Sequence, residues 1–425
     1  MKSLILIFVV FFSLYSKATG LSSYTSLFKR KVFVDFETVV YDISIDMKNK
    51  TVYTDSTIIF NQKKDGFVIF DLKNPFIKAK LDNKMVKIKS FFILRAMTWA
   101  KRVARKTKKG RHTLQVKSEL KNGVKFRNGV ELGFWMRDLF GRKFLEQYLP
   151  TNFEFDQYKA RLNINFINCD CDIDKYTLMA NGEVESTEKG YAVEFPSFYN
   201  SSSFFIHLFK KKSYISNKSI FTRMDGKKID FVVYSKKKSL THKLKDKAIQ
   251  SVRELEELYG TWPHDYLIVY GGQNSGNMEH AGVIQTSLGA LDHELHHSYF
   301  SKAVMPENGN AGWMDEAIVT WRDRGYPEVK KPYFKKHNLS CHSIYRRSTD
   351  WDSYKKGGNF IGHLAFLFAE KGIDFKNVLR EYFHEYKFQI VNTKIFRNFL
   401  ESYYGESLLS KFQRYTCGGK HHSRI

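Results

Sequence analysis

The sequence predicts an α+β protein in which an N-terminal antiparallel β saddle or sandwich domain precedes a mostly α-helical domain. Short runs of β-branched and aromatic residues, separated by polar turns, recur along the first half of the chain. Near residue 236 the pattern changes to apolar residues spaced three and four apart, which is typical of amphipathic helices. We therefore expect a β domain at residues 19–235 and a helical domain at residues 236–425.

The first 18 residues predict a secretory signal peptide. Lys2 gives a positive start, an apolar run extends from Leu4 to Leu14, and Ser16 and Ala18 supply the small residues of a cleavage site. The run is shorter than the ~20 residues that span a bilayer, which favours cleavage over an uncleaved anchor helix. No later stretch is suited to cross a membrane, so we expect the mature chain to be secreted or periplasmic.

The β-rich part contains strand-like runs and one segment that we leave unassigned. The basic segment 96–109 is compatible with a helix. Cys169 and Cys171 are expected on a strand, and Cys341 with Cys417 is a plausible bridge in an oxidising compartment. The predicted strands are 32–34, 39–45, 51–60, 66–71, 113–116, 159–166, 177–179, 192–195, 203–209 and 229–234.

The second half is expected to contain one buried strand, at residues 266–270, among helices. The first helix places apolar residues from Leu240 to Leu255 on one side, and Gly260–Pro263 ends it. The predicted helices are 239–259, 288–300, 315–324, 357–371, 375–383, 393–404 and 408–416.

The net charge of +25 comes from Lys and Arg residues spread along the whole chain. Such a charge allows electrostatic association with anionic envelope surfaces, but a solvated basic surface is the simpler interpretation. No nucleic-acid-binding motif accompanies the charge, so no specific nucleic-acid partner is expected.

The segment His293–His297 has the pattern His-Glu-x-x-His. On a helix, residues four apart lie on one face with Cβ atoms ~5–6 Å apart, so His293 and His297 can bind one zinc ion. Glu294 then lies close enough to activate water. His296 falls off the ligand face, and we favour a packing or surface role for it.

A hydrolytic zinc site needs a third protein ligand and an open fourth position. The segment 313–317 predicts the start of another helix, and Glu316 in its first turn can supply that ligand. The alternative is that Glu316 is an N-terminal charge favoured by the helix dipole.

His-Glu-x-x-His, eighteen residues and then Glu resembles the zinc motif of the M1 family of aminopeptidases, which are gluzincins. The resemblance implies a thermolysin-like catalytic domain that holds one zinc ion. It makes His293, His297 and Glu316 the metal ligands and Glu294 the catalytic base. The substrates it implies are peptides with a free amino terminus.

Three further segments match the family. Gly276 to Glu279, with Met278 between them, resembles its Gly-x-Met-Glu-Asn motif. This implies an edge strand whose backbone aligns the peptide and whose Glu279 binds the substrate α-amine. The alternative is an exposed strand carboxylate.

The segment 354–357 resembles the family's Tyr-x-Lys-Gly, which implies that Tyr354 stabilises the oxyanion. In the family, the β domain contributes a Gln or Glu to the pocket that binds the substrate amine. Residues 144–150 resemble that segment, which implies that Glu146 or Gln147 has this role. A structural turn is the alternative for that segment.

The chain is shorter than typical family members, which continue with a large C-terminal helical domain, so we expect a compact form lacking it. These observations predict an exported zinc aminopeptidase. A zinc endopeptidase or other hydrolase with an open cleft, and a non-catalytic envelope-associated binding protein, are the alternatives.

Overall fold

The computed structural model describes most of the chain beyond its N-terminus. The predicted signal peptide lies outside the described residues. These are residues 24–26, 29–93, 98–137, 143–152, 156–169, 171–272, 276–307, 309–342, 346 and 348–421.

The N-terminal part is built from seventeen described strands. They are β1 Tyr24–Ser26, β2 Lys29–Phe33, β3 Asp35–Asp46, β4 Thr51–Gln62, β5 Phe67–Phe70, β6 Phe76–Leu81, β7 Lys84–Met85, β8 Ile88–Ile93, β9 Thr98–Val103, β10 Gly110–Glu119, β11 Val124–Phe126, β12 Val130–Gly133, β13 Lys159–Ile167, β14 Tyr176–Ala180, β15 Glu183–Thr187, β16 Gly190–Phe195 and β17 Ile206–Lys210.

These strands form three sheets. The largest has eight strands in the order β15-β16-β13-β3-β4-β10-β6-β7, and the others are β1-β2-β5-β9-β8 and β11-β12-β17-β14. Along β4 the buried residues alternate with more exposed ones, as expected for a strand with one face on the core. Neighbouring strands are mostly antiparallel, as predicted, but β3 pairs with β13 and β2 with β5 in parallel.

One local feature concerns a segment that the sequence left unassigned, and another differs from the sequence-based expectation. Within the unassigned segment 96–109, residues Thr98–Val103 form strand β9 and not a helix, because they pair with β5 and β8. Cys169 and Cys171 lie beyond the end of β13, in a short connection where their sulfurs are bonded to each other.

The second part combines a smaller sheet with helices. Its elements are β18 Ile215–Thr222, β19 Lys228–Ser235, α1 Lys238–Tyr259, β20 Tyr266–Gly271, β21 Met278–His280, β22 Val283–Thr286, α2 Leu291–Phe300, β23 Met305–Pro306, α3 Trp313–Asp323, α4 Gly358–Ala369, α5 Phe375–Tyr386, β24 Ile390–Val391, α6 Thr393–Tyr404 and α7 Leu409–Thr416.

The sheet of this part has the order β18-β19-β20-β22-β21. Strand β19 pairs in parallel with β20, and α1 makes the crossover between them. The apolar face of α1, including Leu244, Val252 and Leu255, is fully buried against the sheet and the other helices. Strands β18 and β19 of this sheet precede residue 236, where the sequence predicts the boundary between the two domains.

A disulfide between Cys341 and Cys417 ties the segment after α3 to the end of α7, as the sequence suggested. Among the described residues, no helix combines the length and apolar character needed to cross a membrane.

Candidate metal centre

Helices α2 and α3 pack side by side and bring the predicted ligands together. Leu291, Leu295 and Tyr299 bury one face of α2 in the core. Because a helix advances 100° per residue, the same burial turns His293 and His297 toward α3. Trp313, which is fully buried, anchors the first turn of α3, where Glu316 faces the two imidazoles.

The three ligand atoms form a compact triangle. His293 Nε2 and His297 Nε2 are 3.2 Å apart. Glu316 Oε2 lies 3.6 Å from the first and 3.4 Å from the second. Tetrahedral zinc with bonds of about 2.0–2.1 Å separates its ligand atoms by about 3.3–3.4 Å, so one ion fits this triangle.

The polar atoms of the centre also fit a cation. Glu316 Oε2 is buried and has no hydrogen-bond partner of normal geometry among the described residues. An unsatisfied buried carboxylate oxygen is costly, and a metal ion in the triangle would satisfy it. Two imidazoles and one carboxylate are a donor set that catalytic zinc sites use.

Electrostatics favour a positive charge at the same place. Burial would lower the pKa of both imidazoles, yet Asp323 and Glu316 raise the pKa of His293 to about 9. Glu316 and Glu279 likewise raise the pKa of His297 well above its ordinary value against burial. Burial would raise the pKa of Glu316, but the imidazoles hold it well below its usual range. A divalent cation would displace the imidazole protons and supply the positive charge that these carboxylates stabilise.

Asp323 is a functional residue that the sequence analysis did not identify. Its Oδ2 lies 2.6 Å from His293 Nδ1, so the carboxylate orients the imidazole and leaves Nε2 free for metal. Asp323 follows Glu316 by seven residues, which is two helical turns on the same face of α3. That spacing was the available signal.

We expect Asp323→Asn to lower zinc affinity by about 10–100-fold, because the imidazole loses its charged orienting partner. Titration of metal-free protein with zinc in competition with a chelator measures this. The matched control is Asp292→Asn on α2, whose carboxylate pairs with Lys247 at 2.8 Å instead. Equal affinity of Asp323→Asn and the parent protein would contradict the role.

Glu294 is buried on α2 between the two imidazole positions. Burial is the main cause that raises the pKa of its carboxyl to about 8, and the charge of Glu279 adds to it. A dication beside it acts in the opposite direction. These opposing effects act on a carboxyl that lies next to the predicted metal ligand His293 on α2.

Tyr354 lies on a π-helical turn, Ser353–Gly357, immediately before α4. Its hydroxyl donates to Glu316 Oε1 at 2.6 Å, and its ring stacks 6.0 Å from that of His293. A Cβ built on Gly357 would lie 2.9 Å from that of Ala317, so glycine lets this turn approach α3. The phenol is therefore held at the edge of the metal centre.

Glu279 lies on β21, which is an edge strand of the sheet β18-β19-β20-β22-β21, as predicted. Met278 is buried in the core of the N-terminal part, and the carbonyl of Gly276 accepts from the side chain of Gln285. The Glu279 carboxylate is buried close to the metal centre, since one of its oxygens, an imidazole nitrogen of His297 and a carboxylate oxygen of Asp315 lie within 4.8 Å of one another.

The neighbour of Glu279 is a lysine that the sequence analysis did not identify. Lys302 Nζ lies 3.4 Å from Glu279 Oε1, and the Lys302 side chain is only 2% exposed. Nothing in the local pattern signals this contact, because Lys302 lies beyond the end of α2 and meets a separate strand.

Glu146 and Gln147 lie on a short 3-10 turn, Leu145–Gln147. Glu146 is buried, and its Oε1 accepts from the backbone N–H of Phe144. The Phe144 ring lies 5.9 Å from Lys302 Nζ, so this turn of the β domain borders the pocket of Glu279. The turn thus has the local bonding of a structural element, and a role of Glu146 or Gln147 at a substrate amine stays a prediction.

No protein-family model matches the sequence, and comparison with curated proteins gives no match. Solved structures do match. Leukotriene A4 hydrolase from Saccharomyces cerevisiae aligns with a TM-score of 0.63 and 13% identity over 88% of this chain and 65% of its own.

Two bacterial structures are similar to the same extent. An M1 zinc metallopeptidase from Deinococcus radiodurans, bound to a Tyr-Ser-Ala substrate, aligns with a TM-score of 0.62 and 13% identity over 88% of this chain and 92% of its own. Aminopeptidase A from Legionella pneumophila, in complex with aspartic acid, aligns with a TM-score of 0.63 and 14% identity over 92% of this chain and 49% of its own.

The chain therefore has the two-part fold of the M1 zinc metallopeptidases, with a sheet domain followed by a helical region. It spans 65% of the length of the yeast enzyme. At identities of 13–14%, the likeness establishes the fold alone.

Proposed function

We propose that this chain is a zinc-dependent peptidase. The observation that carries the proposal is the triangle of His293 Nε2, His297 Nε2 and Glu316 Oε2, with sides of 3.2–3.6 Å. A buried carboxylate, Glu294, and a phenol, Tyr354, accompany it. These are the groups that metal-assisted hydrolysis of an amide needs.

When bound, zinc polarises the scissile carbonyl and lowers the pKa of water from 15.7 to about 7. Glu294 accepts the proton of the attacking water and returns it to the departing amine. The hydroxyl of Tyr354 donates to Glu316 Oε1 in this structure and would turn to the substrate oxygen that becomes negative. Asp323 keeps the His293 ring in place. The backbone of edge strand β21 is available to align an extended peptide.

Two forms of this activity are supported by different observations. The M1-like fold and the place of Glu279 beside the centre favour an aminopeptidase, in which the carboxylate binds the substrate α-ammonium. The pairing of Glu279 with Lys302 favours a peptidase that does not need a free amino terminus.

Purified protein loaded with one equivalent of zinc, incubated with a mixed peptide panel, tests the proposal. We expect peptide-bond cleavage that a chelator stops and that added zinc restores. Zinc-loaded protein that cleaves none of the panel would support the non-catalytic alternative instead.

We also propose that the protein is exported and meets its substrates outside the cytoplasm. The support is the N-terminal pattern of Lys2, an apolar run and small residues before residue 19. N-terminal sequencing of protein from its native host should begin near residue 19, and an intact Met1 would contradict export by this route.

Tyr354→Phe removes the hydroxyl and keeps the ring that stacks on His293. We expect kcat to fall by about 10²–10³-fold, since one oxyanion donor contributes about 2.7–4 kcal/mol, while zinc stays bound. Tyr403→Phe is the matched control, since the Tyr403 side chain is exposed on α6, and it should leave kcat unchanged. If Tyr354→Phe weakens zinc binding but zinc-saturated enzyme keeps its kcat, the hydroxyl serves only to hold Glu316.

A further inference from the structure

Glu279 and Lys302 form a buried ion pair beside the candidate metal centre. Lys302 Nζ lies 3.4 Å from Glu279 Oε1, and both side chains are more than nine-tenths buried. The Lys302 ammonium is thus bound to Glu279, the carboxylate that the M1 resemblance implies would bind the α-ammonium of a substrate.

Both halves of the chain hold this lysine in place. Its ammonium donates to Ser202 Oγ at 3.2 Å and lies 5.9 Å from the centre of the Phe144 ring. Ser301 Oγ donates to the same Glu279 oxygen at 3.4 Å. Because Ser202 and Phe144 belong to the β domain and Glu279 lies on β21, Lys302 cannot leave without breaking contacts to both parts of the chain.

The Glu279 carboxylate has a cationic partner without a substrate. Glu279 and Asp315 are buried carboxylates near His297, and the ammonium of Lys302 lies 3.4 Å from the carboxylate of Glu279. An incoming α-ammonium would meet a carboxylate that is already paired and would lie close to a like charge in a dry environment. Like charges at such distances repel strongly, so the usual attraction for a free amino terminus is lost.

We propose that Lys302 occupies the α-ammonium subsite, so that the enzyme acts on peptides whose amino group is blocked or on bonds within a chain. This proposal rests on the peptidase function argued above. An acylated or chain-embedded nitrogen carries no charge, and its N–H can donate to β21 without competing with Lys302. Lys302 is in this role a specificity-determining residue and takes no part in bond breaking.

The test compares two peptides of one sequence, with a free and with an acetylated amino terminus, on zinc-loaded full-length protein. We expect the kcat/KM values of the two peptides to agree within about tenfold. Lys302→Met keeps the length of the side chain and releases Glu279, so the ratio of free to acetylated peptide should rise at least tenfold. Lys302→Arg keeps the charge and should leave the ratio close to that of the parent. A parent enzyme that prefers the free peptide by 100-fold or more would overturn the proposal.

Binding separates this proposal from the peptidase function itself. Calorimetry on the Glu294→Gln variant measures affinity for both peptides without turnover. Equal affinity for the two peptides supports the subsite assignment even if the parent cleaves neither peptide. Absence of cleavage would contradict only the peptidase function. Binding of the free peptide alone, or of neither peptide, contradicts the assignment. Zinc content and thermal unfolding of Lys302→Met check that the variant is folded, and if it is not, the parent's ratio and the binding comparison still decide.

Discussion

Replacing His297 with alanine should remove stoichiometric zinc and reduce peptide hydrolysis to the background rate. His297 Nε2 is one of the three atoms of the ligand triangle, and its side chain is 1% exposed. Zinc sites contribute about 10–16 kcal/mol over all their ligands, so the loss of one ligand should lower affinity by on the order of 10²-fold or more.

The measurement is metal content after dialysis, together with the shift of the melting temperature on adding zinc. The parent protein should be stabilised by zinc, since a ligand at 100 times its Kd adds about 2.7 kcal/mol to the free energy of unfolding. His297→Ala should show no such shift at the same concentration.

His296→Phe is the matched control for this variant. The neighbouring imidazole is fully buried, stacks on Tyr259 at 5.3 Å, and has no hydrogen-bond partner for either nitrogen among the described residues. A phenyl ring keeps that stacking, so zinc binding should persist. Loss of zinc from His296→Phe but not from His297→Ala would mean that the ligands are wrongly assigned.

The parts of the centre that the sequence predicts are those set by local spacing. His293 and His297 share a face because they are four apart on one helix, whatever the rest of the chain does. Helical periodicity alone could not predict Glu316 as a ligand, since only the packing of α3 on α2 brings it to the imidazoles. That prediction came from the resemblance of the motif spacing to the M1 family.

The parts that were missed depend on contacts between distant segments. Asp323 was readable in principle, because it lies two turns after Glu316 on one helix. Lys302 was not, because its partner Glu279 lies on an edge strand that the chain leaves well before α2 begins. Likewise Thr98–Val103 is a strand through its pairing with β5 and β8, which overrides a local pattern compatible with a helix.

The prediction with the largest effect on turnover alone is Glu294→Gln. Glutamine has nearly the shape of glutamate but cannot accept the proton of the attacking water or return it to the leaving amine. General acid–base catalysis contributes about 10²–10⁴-fold, so kcat should fall by that factor. Zinc should remain bound with parent affinity, because Glu294 is not part of the ligand triangle of His293, His297 and Glu316.

Glu294→Gln and His297→Ala together separate chemistry from metal binding. Both should lose most or all of their activity, but only Glu294→Gln should retain one zinc ion and the thermal stabilisation that comes with it. Glu307→Gln is a suitable control, since that carboxylate accepts from the side chain of Asn392, the N-cap of α6, at 2.8 Å and is not part of the ligand triangle. An active Glu294→Gln enzyme would mean that another group accepts the proton of the attacking water. Glu294 would then not be the catalytic base.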